Sequence, residues 1–184
     1  TGCSYMLVNE REKTACRVDM NMTGLYNVQN SLCAIAMVTA LGFDMTECAK
    51  ALSDLDGVDG RMNVVYRGDF TVITDYAHTD DALIKVLSTL KPLTKGRLIC
   101  VFGAAGDRDK EKRPMMAKAA EDNADILVIT SDNPAHENPD EIIREVMTGI
   151  SGKKPCRCIT DRREAIAYAL DTARKDDVII LCGK

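Results

Sequence analysis

The feature that most restricts the fold of this chain is the rhythm of its longer, C-terminal part. After Gly57-Val58-Asp59-Gly60, strand-like runs and helix-like segments alternate. "MNVVY" and "FTVITD" are separated by Arg67-Gly68-Asp69, whose small and polar residues predict a hairpin turn. Then come helix "DDALIKVLSTL", strand "RLICVFG", helix "PMMAKAAED", strand "DILVITSD", helix "PDEIIREVMTGI", strand "CRCITD", helix "RREAIAYALDTA" and strand "DVIILCG". Most of these strands are apolar at successive positions rather than at alternate ones, so both of their faces are buried. That pattern predicts an α/β fold: a doubly wound, mostly parallel sheet of six strands covered by helices, the first strand an antiparallel edge.

Residues 1–58 have another character. "YMLVN" and "ACRVDM" read as short strands, and "NVQNSLCAIAMVTALG" as a helix stopped by Gly42. "MTECAKALSDL" reads as a second helix started by Asp44. So few elements cannot enclose a large core, and we expect them to be part of a domain. Residues 59–184 form a second domain in this reading. The apolar "LCAIAMVTAL" face is expected to lie on that domain or on another copy of the chain, a route to self-association.

A net charge of −4 argues against a nucleic-acid partner, and no apolar run approaches a membrane span. The eight cysteines sit mostly in apolar runs such as "LICVF" and "IILCG", where a thiol acts as a small hydrophobe. The close pair Cys156 and Cys158 has no companion pair at metal-ligand spacing. We expect no metal site and reduced thiols, hence a cytoplasmic location.

In open α/β sheets, ligands bind outside the carboxyl ends of the parallel strands. Polar clusters fall at those ends: Asp75-Tyr76-Ala77-His78, Gly103 to Asp109, Ser131-Asp132-Asn133-Pro134, Asp161-Arg162-Arg163 and Gly183-Lys184. In "FGAAGDRDKEKRP", small residues let a ligand approach the backbone. Arg108, Lys110, Lys112 and Arg113 beside a helix start could then hold a phosphate or carboxylate. The same loop also reads as a solvated charged turn neutralised by Asp107, Asp109 and Glu111. Asp75 at a strand end suits ribose hydroxyls, whereas His78 by itself reads first as a helix-entry residue. Asn133 can offer a ligand both a donor and an acceptor, or serve turn chemistry. No Gly-Lys-Ser/Thr phosphate loop occurs in the chain, nor a nucleophile elbow.

Taken together, "FTVITDYAHTDDAL", "GRLICVFGAAGDRDKEKRPMM" and "ADILVITSDNPAHENP" resemble the Mur ligases of peptidoglycan synthesis, in the branch that adds the third amino acid of the stem peptide. The resemblance runs through essentially the whole chain. It implies that residues 1–58 are the tail of a central ATPase domain and 59–184 an amino-acid-binding ligase domain. The implied chemistry is an ATP- and Mg²⁺-dependent ligation. The carboxylate of a UDP-MurNAc-dipeptide becomes an acyl phosphate, which a free amino acid then attacks.

By motif, Asn30 is expected at adenine, and Arg61, Asp75 and His78 at ribose or phosphates. Arg108, Asp132, Asn133 and Gly183 are expected at the incoming amino acid, with Arg108 pairing its carboxylate. No catalytic set is complete in the chain. The P-loop, the UDP-binding domain and most of the ATPase domain are not in it, so it is expected to be an inactive fragment. Members that add diaminopimelate typically carry "DNPR" where this chain has "DNPA", so Ala135 points to a diamino acid without a second carboxylate, such as lysine. Folate polyglutamate and cyanophycin ligases share the architecture, but Tyr76, Thr79 and "DNP" favour the muramyl branch. A non-catalytic binding module with the same fold is the remaining alternative.

Overall fold

The computed structural model describes residues 2–183, and the chain divides into two compact units, Thr1–Asp59 and Gly60–Lys184. In the first, β1 (Cys3–Asn9) and β2 (Thr14–Met20) form an antiparallel hairpin. Helices α1 (Leu25–Ala40) and α2 (Met45–Ser53) cover it. Helix α1 is stopped as expected at Gly42, whose φ of 96° is open to a residue without Cβ. Asp44 caps α2, its carboxylate accepting from the Thr46 and Glu47 amides. Val18, Met20, Ile35, Met45 and Ala49 form a small core.

The second unit carries a mixed sheet of six strands in the order β3-β4-β8-β5-β6-β7. The strands are β3 (Asn63–Arg67), β4 (Thr71–Asp75), β5 (Leu98–Phe102), β6 (Ile126–Ile129), β7 (Cys156–Cys158) and β8 (Val178–Cys182). Only β3 runs antiparallel, paired with β4 through the expected hairpin. The other neighbours are parallel.

Four helices flank the sheet: α3 (Asp80–Leu90), α4 (Lys112–Asn123), α5 (Pro139–Met147) and α6 (Arg162–Thr172). Their distribution follows the two-residue alternation of strand side chains. Leu98, Cys100 and Phe102 point to the face packed with α3, α4 and α5. Ile99 and Val101 point to the other, packed with Ala165 and Ala169 of α6. All eight cysteines are free thiols, two of them, Cys100 and Cys182, deep in this core. Among the described residues no helix is long and apolar enough to cross a membrane.

Candidate functional site

At the carboxyl ends of β4, β5, β6 and β8 lies a cavity of about 500 Å³. Its walls include Tyr76, His78 and Thr79 after β4, Ala104, Ala105, Arg108 and Asp109 after β5, Asp132 and Asn133 after β6, and Gly183 after β8. Lys112, Arg113 and Met116 from the start of α4 close it. Five of the expected site residues, His78, Arg108, Asp132, Asn133 and Gly183, therefore share one wall of space. The approach of Gly183 to Asp132 is close, since a Cβ on Gly183 would stand 3.0 Å from the Asp132 carboxylate.

Asp75 and Arg61 stand just outside this lining. Asp75 is only 7% exposed, and its two oxygens accept from the Ala77 and Met62 amides, both at 2.8 Å. It thus ties the end of β4 to the segment carrying Arg61, a tie repeated by the Tyr76 amide on the Gly60 carbonyl at 2.7 Å. Arg61 lies with its guanidinium 4.4 Å from the centre of the Tyr76 ring. His78 packs edge-on to the same ring, and its Nδ1 reaches the Tyr76 carbonyl at 2.9 Å. The cap of α3 is Thr79, which accepts from the Ala82 amide. Arg61, Tyr76 and His78 form one cationic and aromatic stack. Asn30 is exposed on α1, in the first unit.

The charged loop after β5 departs from the sequence expectation. Arg113 cannot serve as an anion receptor: its side chain is 1% exposed and committed to two carboxylates. It forks onto Glu137, Nη2 to Oε1 at 2.7 Å and Nη1 to Oε2 at 2.9 Å, and also donates to Glu145. Lys110 joins the same pair, 3.2 Å from Glu137 and 3.4 Å from Glu145. These cations are thus neutralised chiefly from a distant segment and not by the acids of their own loop. The hydrogen bonds from Arg113 hold the Glu137 carboxyl down to about 2. Arg108 and Lys112, in contrast, have no carboxylate partner among the described residues and line the cavity. Pro114 falls in the first turn of α4, two residues after its start at Lys112. Arg162, in another expected polar cluster, is structural: it donates to the carbonyls of Cys182 and Ser131, joining two strand ends.

The loops after β5 and β6 are laced together. The Gly106 amide donates to the Asn133 carbonyl at 2.7 Å, and the Asp107 amide to Glu137 at 2.7 Å. His136 Nδ1 lies 2.5 Å from Asp107, whose carboxylate pushes the imidazole pKa up. Two non-glycine residues here have left-handed backbone, Asp107 (φ 55°) and Ala135 (φ 50°). Among the described residues no cluster of three His, Cys, Asp or Glu side chains could hold a metal ion.

A doubly wound sheet with cationic and amide groups gathered around a cavity at its strand ends defines the class: an α/β domain with its cavity where folds of this kind carry their sites. Residues 60–184 match the family described as Mur ligase, glutamate ligase domain, and the chain belongs to the Mur ligase family. It is 48% identical over 169 residues to the UDP-N-acetylmuramoyl-L-alanyl-D-glutamate–2,6-diaminopimelate ligase of Caldanaerobacter subterraneus subsp. tengcongensis, covering 91% of this chain and 35% of that one. To a Clostridium acetobutylicum ligase of the same name it is 46% identical over 170 residues, again 91% of this chain and 35% of the other.

Among solved structures, a diaminopimelate ligase of that name superposes with a TM-score of 0.68 at 37% identity, over 98% of this chain and 37% of the other. A pseudomurein peptide ligase type C from Methanothermus fervidus gives 0.79 at 25% identity, over 100% and 38%. The chain thus spans about a third of the length of the curated relatives it matches.

Proposed function

We propose that this chain is the amino-acid-binding part of an ATP-dependent ligase that adds the third residue to UDP-MurNAc-dipeptide in peptidoglycan synthesis. The observation that carries the reading is the convergence of Arg108 and Asn133, from the ends of two different strands, on one cavity. A free amino acid presents a carboxylate and an ammonium group. Arg108, lacking a carboxylate partner among the described residues, suits the first. The Asp132 carboxylate and the Asn133 amide suit the second. Once the ammonium group held there has given up a proton, the resulting amine is positioned to attack the acyl carbon of an acyl phosphate, forming the amide and expelling inorganic phosphate. A bimolecular attack thus becomes a positioned one. The stack of Arg61 on Tyr76 with His78 alongside suits the nucleotide, with Asp75 fixing the backbone that presents it and Asn30 assigned to adenine by motif.

ATP enters as a co-substrate, and Mg²⁺ would neutralise its phosphates. The described residues offer no metal-binding cluster, so no step is assigned to Mg²⁺ through them. The chain alone is expected not to turn over.

The incoming amino acid is L-lysine or a similar diamino acid in this reading. Position 135 is alanine, neighbouring His136 is engaged with Asp107, and Arg113 and Lys110 are engaged with Glu137 and Glu145. With Arg108 given to the shared carboxylate, Lys112 is the one lining cation without a carboxylate partner among the described residues, and no guanidinium is left for a second carboxylate. Phosphate release by the full-length gene product, supplied with ATP and the UDP-linked dipeptide, tests both levels. Release dependent on L-lysine and weak with diaminopimelate is the expected result. Preference for diaminopimelate overturns the lysine assignment and turns attention to Lys112. Release with a folate acceptor instead overturns the muramyl assignment, and no amino-acid-dependent release with any acceptor overturns the ligase reading.

A further inference from the structure

We propose that Glu137 is a positioning residue for the amino-acid site: it clamps the Arg108 loop to the Asn133 loop and decides which guanidinium faces the ligand. The proposal rests on the reading of the cavity as an amino-acid site.

Glu137 belongs to the loop after β6, anchored there by its own amide on the Pro134 carbonyl at 2.9 Å. Its carboxylate reaches across to the loop after β5. One oxygen takes the Asp107 amide and Arg113 Nη2, and the other takes Arg113 Nη1. Arg113 adds a 3.3 Å hydrogen bond to the Ala105 carbonyl, so the same fork also grips the start of that loop. Without this clamp the loops still pack, Gly106 against Pro134 and Gly103 against Thr130. Among the described residues, the polar contacts then left between them are the Gly106 to Asn133 bond and the exposed His136 to Asp107 pair.

The placement of backbone strain gives the clamp its purpose. Left-handed backbone at a residue with Cβ is strained and persists where surrounding groups over-determine it. Asp107 directly precedes Arg108, and Ala135 follows Asn133 by two residues. Glu137 bonds the amide of the first and closes the turn that contains the second. A guanidinium on an exposed loop is otherwise free to swing, and its direction depends on the φ of the residue before it.

Charge distribution supplies the second half. Arg113 and Lys110 face Glu137 and Glu145, two cations against two anions. Without Glu137, the buried Arg113 guanidinium keeps only Glu145 and becomes a rival receptor for an incoming carboxylate. With Glu137 in place, both guanidinium groups line the cavity, but Arg113 is held by carboxylates and Arg108 is the one without such a partner among the described residues.

The test combines kinetics of the full-length gene product with amide exchange on this 184-residue chain. Glu137→Ala should raise KM for the amino acid about tenfold or more while KM for ATP moves less than about twofold. Glu137→Gln retains an acceptor for the Asp107 amide and should recover part of the loss. In the chain itself, Glu137→Ala should speed exchange at Gly106 and Asp107 by about tenfold or more, leaving the Leu87 amide of α3 unchanged. An unchanged KM for the amino acid overturns the proposal. So does a fall in kcat that tracks a lower melting temperature with both KM values unmoved, which marks a merely structural role. If the unsubstituted enzyme shows no amino-acid-dependent phosphate release, the ligase reading fails by itself. Exchange at Asp107 then decides the clamp, and unaltered exchange rejects it.

Discussion

At the residue scale, the site depends on how closely two loops approach. A Cβ on Gly106 would sit 1.9 Å from the Pro134 carbonyl oxygen, a contact no side chain tolerates. Gly106→Ala must push the loops apart and strain the 2.7 Å bond to Asn133. We expect a destabilisation of about 1–3 kcal/mol, read from urea midpoints, with Arg108 displaced relative to Asn133. Much of this site was legible in the sequence. Arg108 and Asn133 belong to polar clusters that follow an apolar run, a local signal that the parallel-sheet rule turns into a shared wall, whereas Asp75, read in the same way, stands just outside it. Glu137 gave no such signal. It reads as an ordinary acid before a helix, and its partner Arg113 lies 24 residues away, beyond any local periodicity. For the same reason the loop acids Asp109 and Glu111 looked like the neutralising partners of Arg113, when Glu137 and Glu145 fill that role.

At the element scale, helices with side-chain caps followed the sequence closely. Thr79 and the acids Asp80 and Asp81 open α3, which runs as the pattern predicts from Asp80 to Leu90. Asn138 accepts from the Asp140 amide at the start of α5, with Pro139 in its first turn. Asn138→Ala should cost about 1 kcal/mol of stability, measured by chemical denaturation. The two long helices without a side-chain cap, α1 and α4, each start two residues before the sequence places them, at Leu25 rather than Asn27 and at Lys112 rather than Pro114.

The other end of α4 brings a pH dependence. Glu121 accepts from the Ser151 amide and hydroxyl and from the Lys153 amide, fastening the turn before β7. The Ser151 amide foremost, opposed by burial, brings its carboxyl from the ordinary 4.5 down to about 2. A depressed carboxyl contributes stability that is full above the unfolded value and lost as pH falls toward the folded one. Stability should therefore decline between pH 4.5 and about 2. Glu121→Gln should be less stable at neutral pH and show a shallower decline, followed by urea midpoints across that range.

On the scale of the whole molecule, the fold class was legible and the strand order was not. Alternation of strands and helices specifies parallel neighbours and buried faces, but adjacency in a sheet is settled by which apolar faces pack best. Here β8 enters between β4 and β5. The second unit holds both of its core layers within itself, one under α3, α4 and α5 and one under α6. Residues 60–184 alone should therefore give a cooperative thermal transition and α/β circular dichroism. A non-cooperative melt of that piece would show that its cores are not self-sufficient.

The central place of β8 also sets an order of events during synthesis. Within the sheet it stands between the β3–β4 ribbon and the β5–β6–β7 ribbon, yet it leaves the ribosome after all of them. Until residues 178–182 emerge, each ribbon carries a bare inner edge able to pair with a neighbouring chain. The wall that gathers Arg108, Asn133 and Gly183 comes into being only when that gap is filled, so the candidate site is among the last parts of the unit to exist.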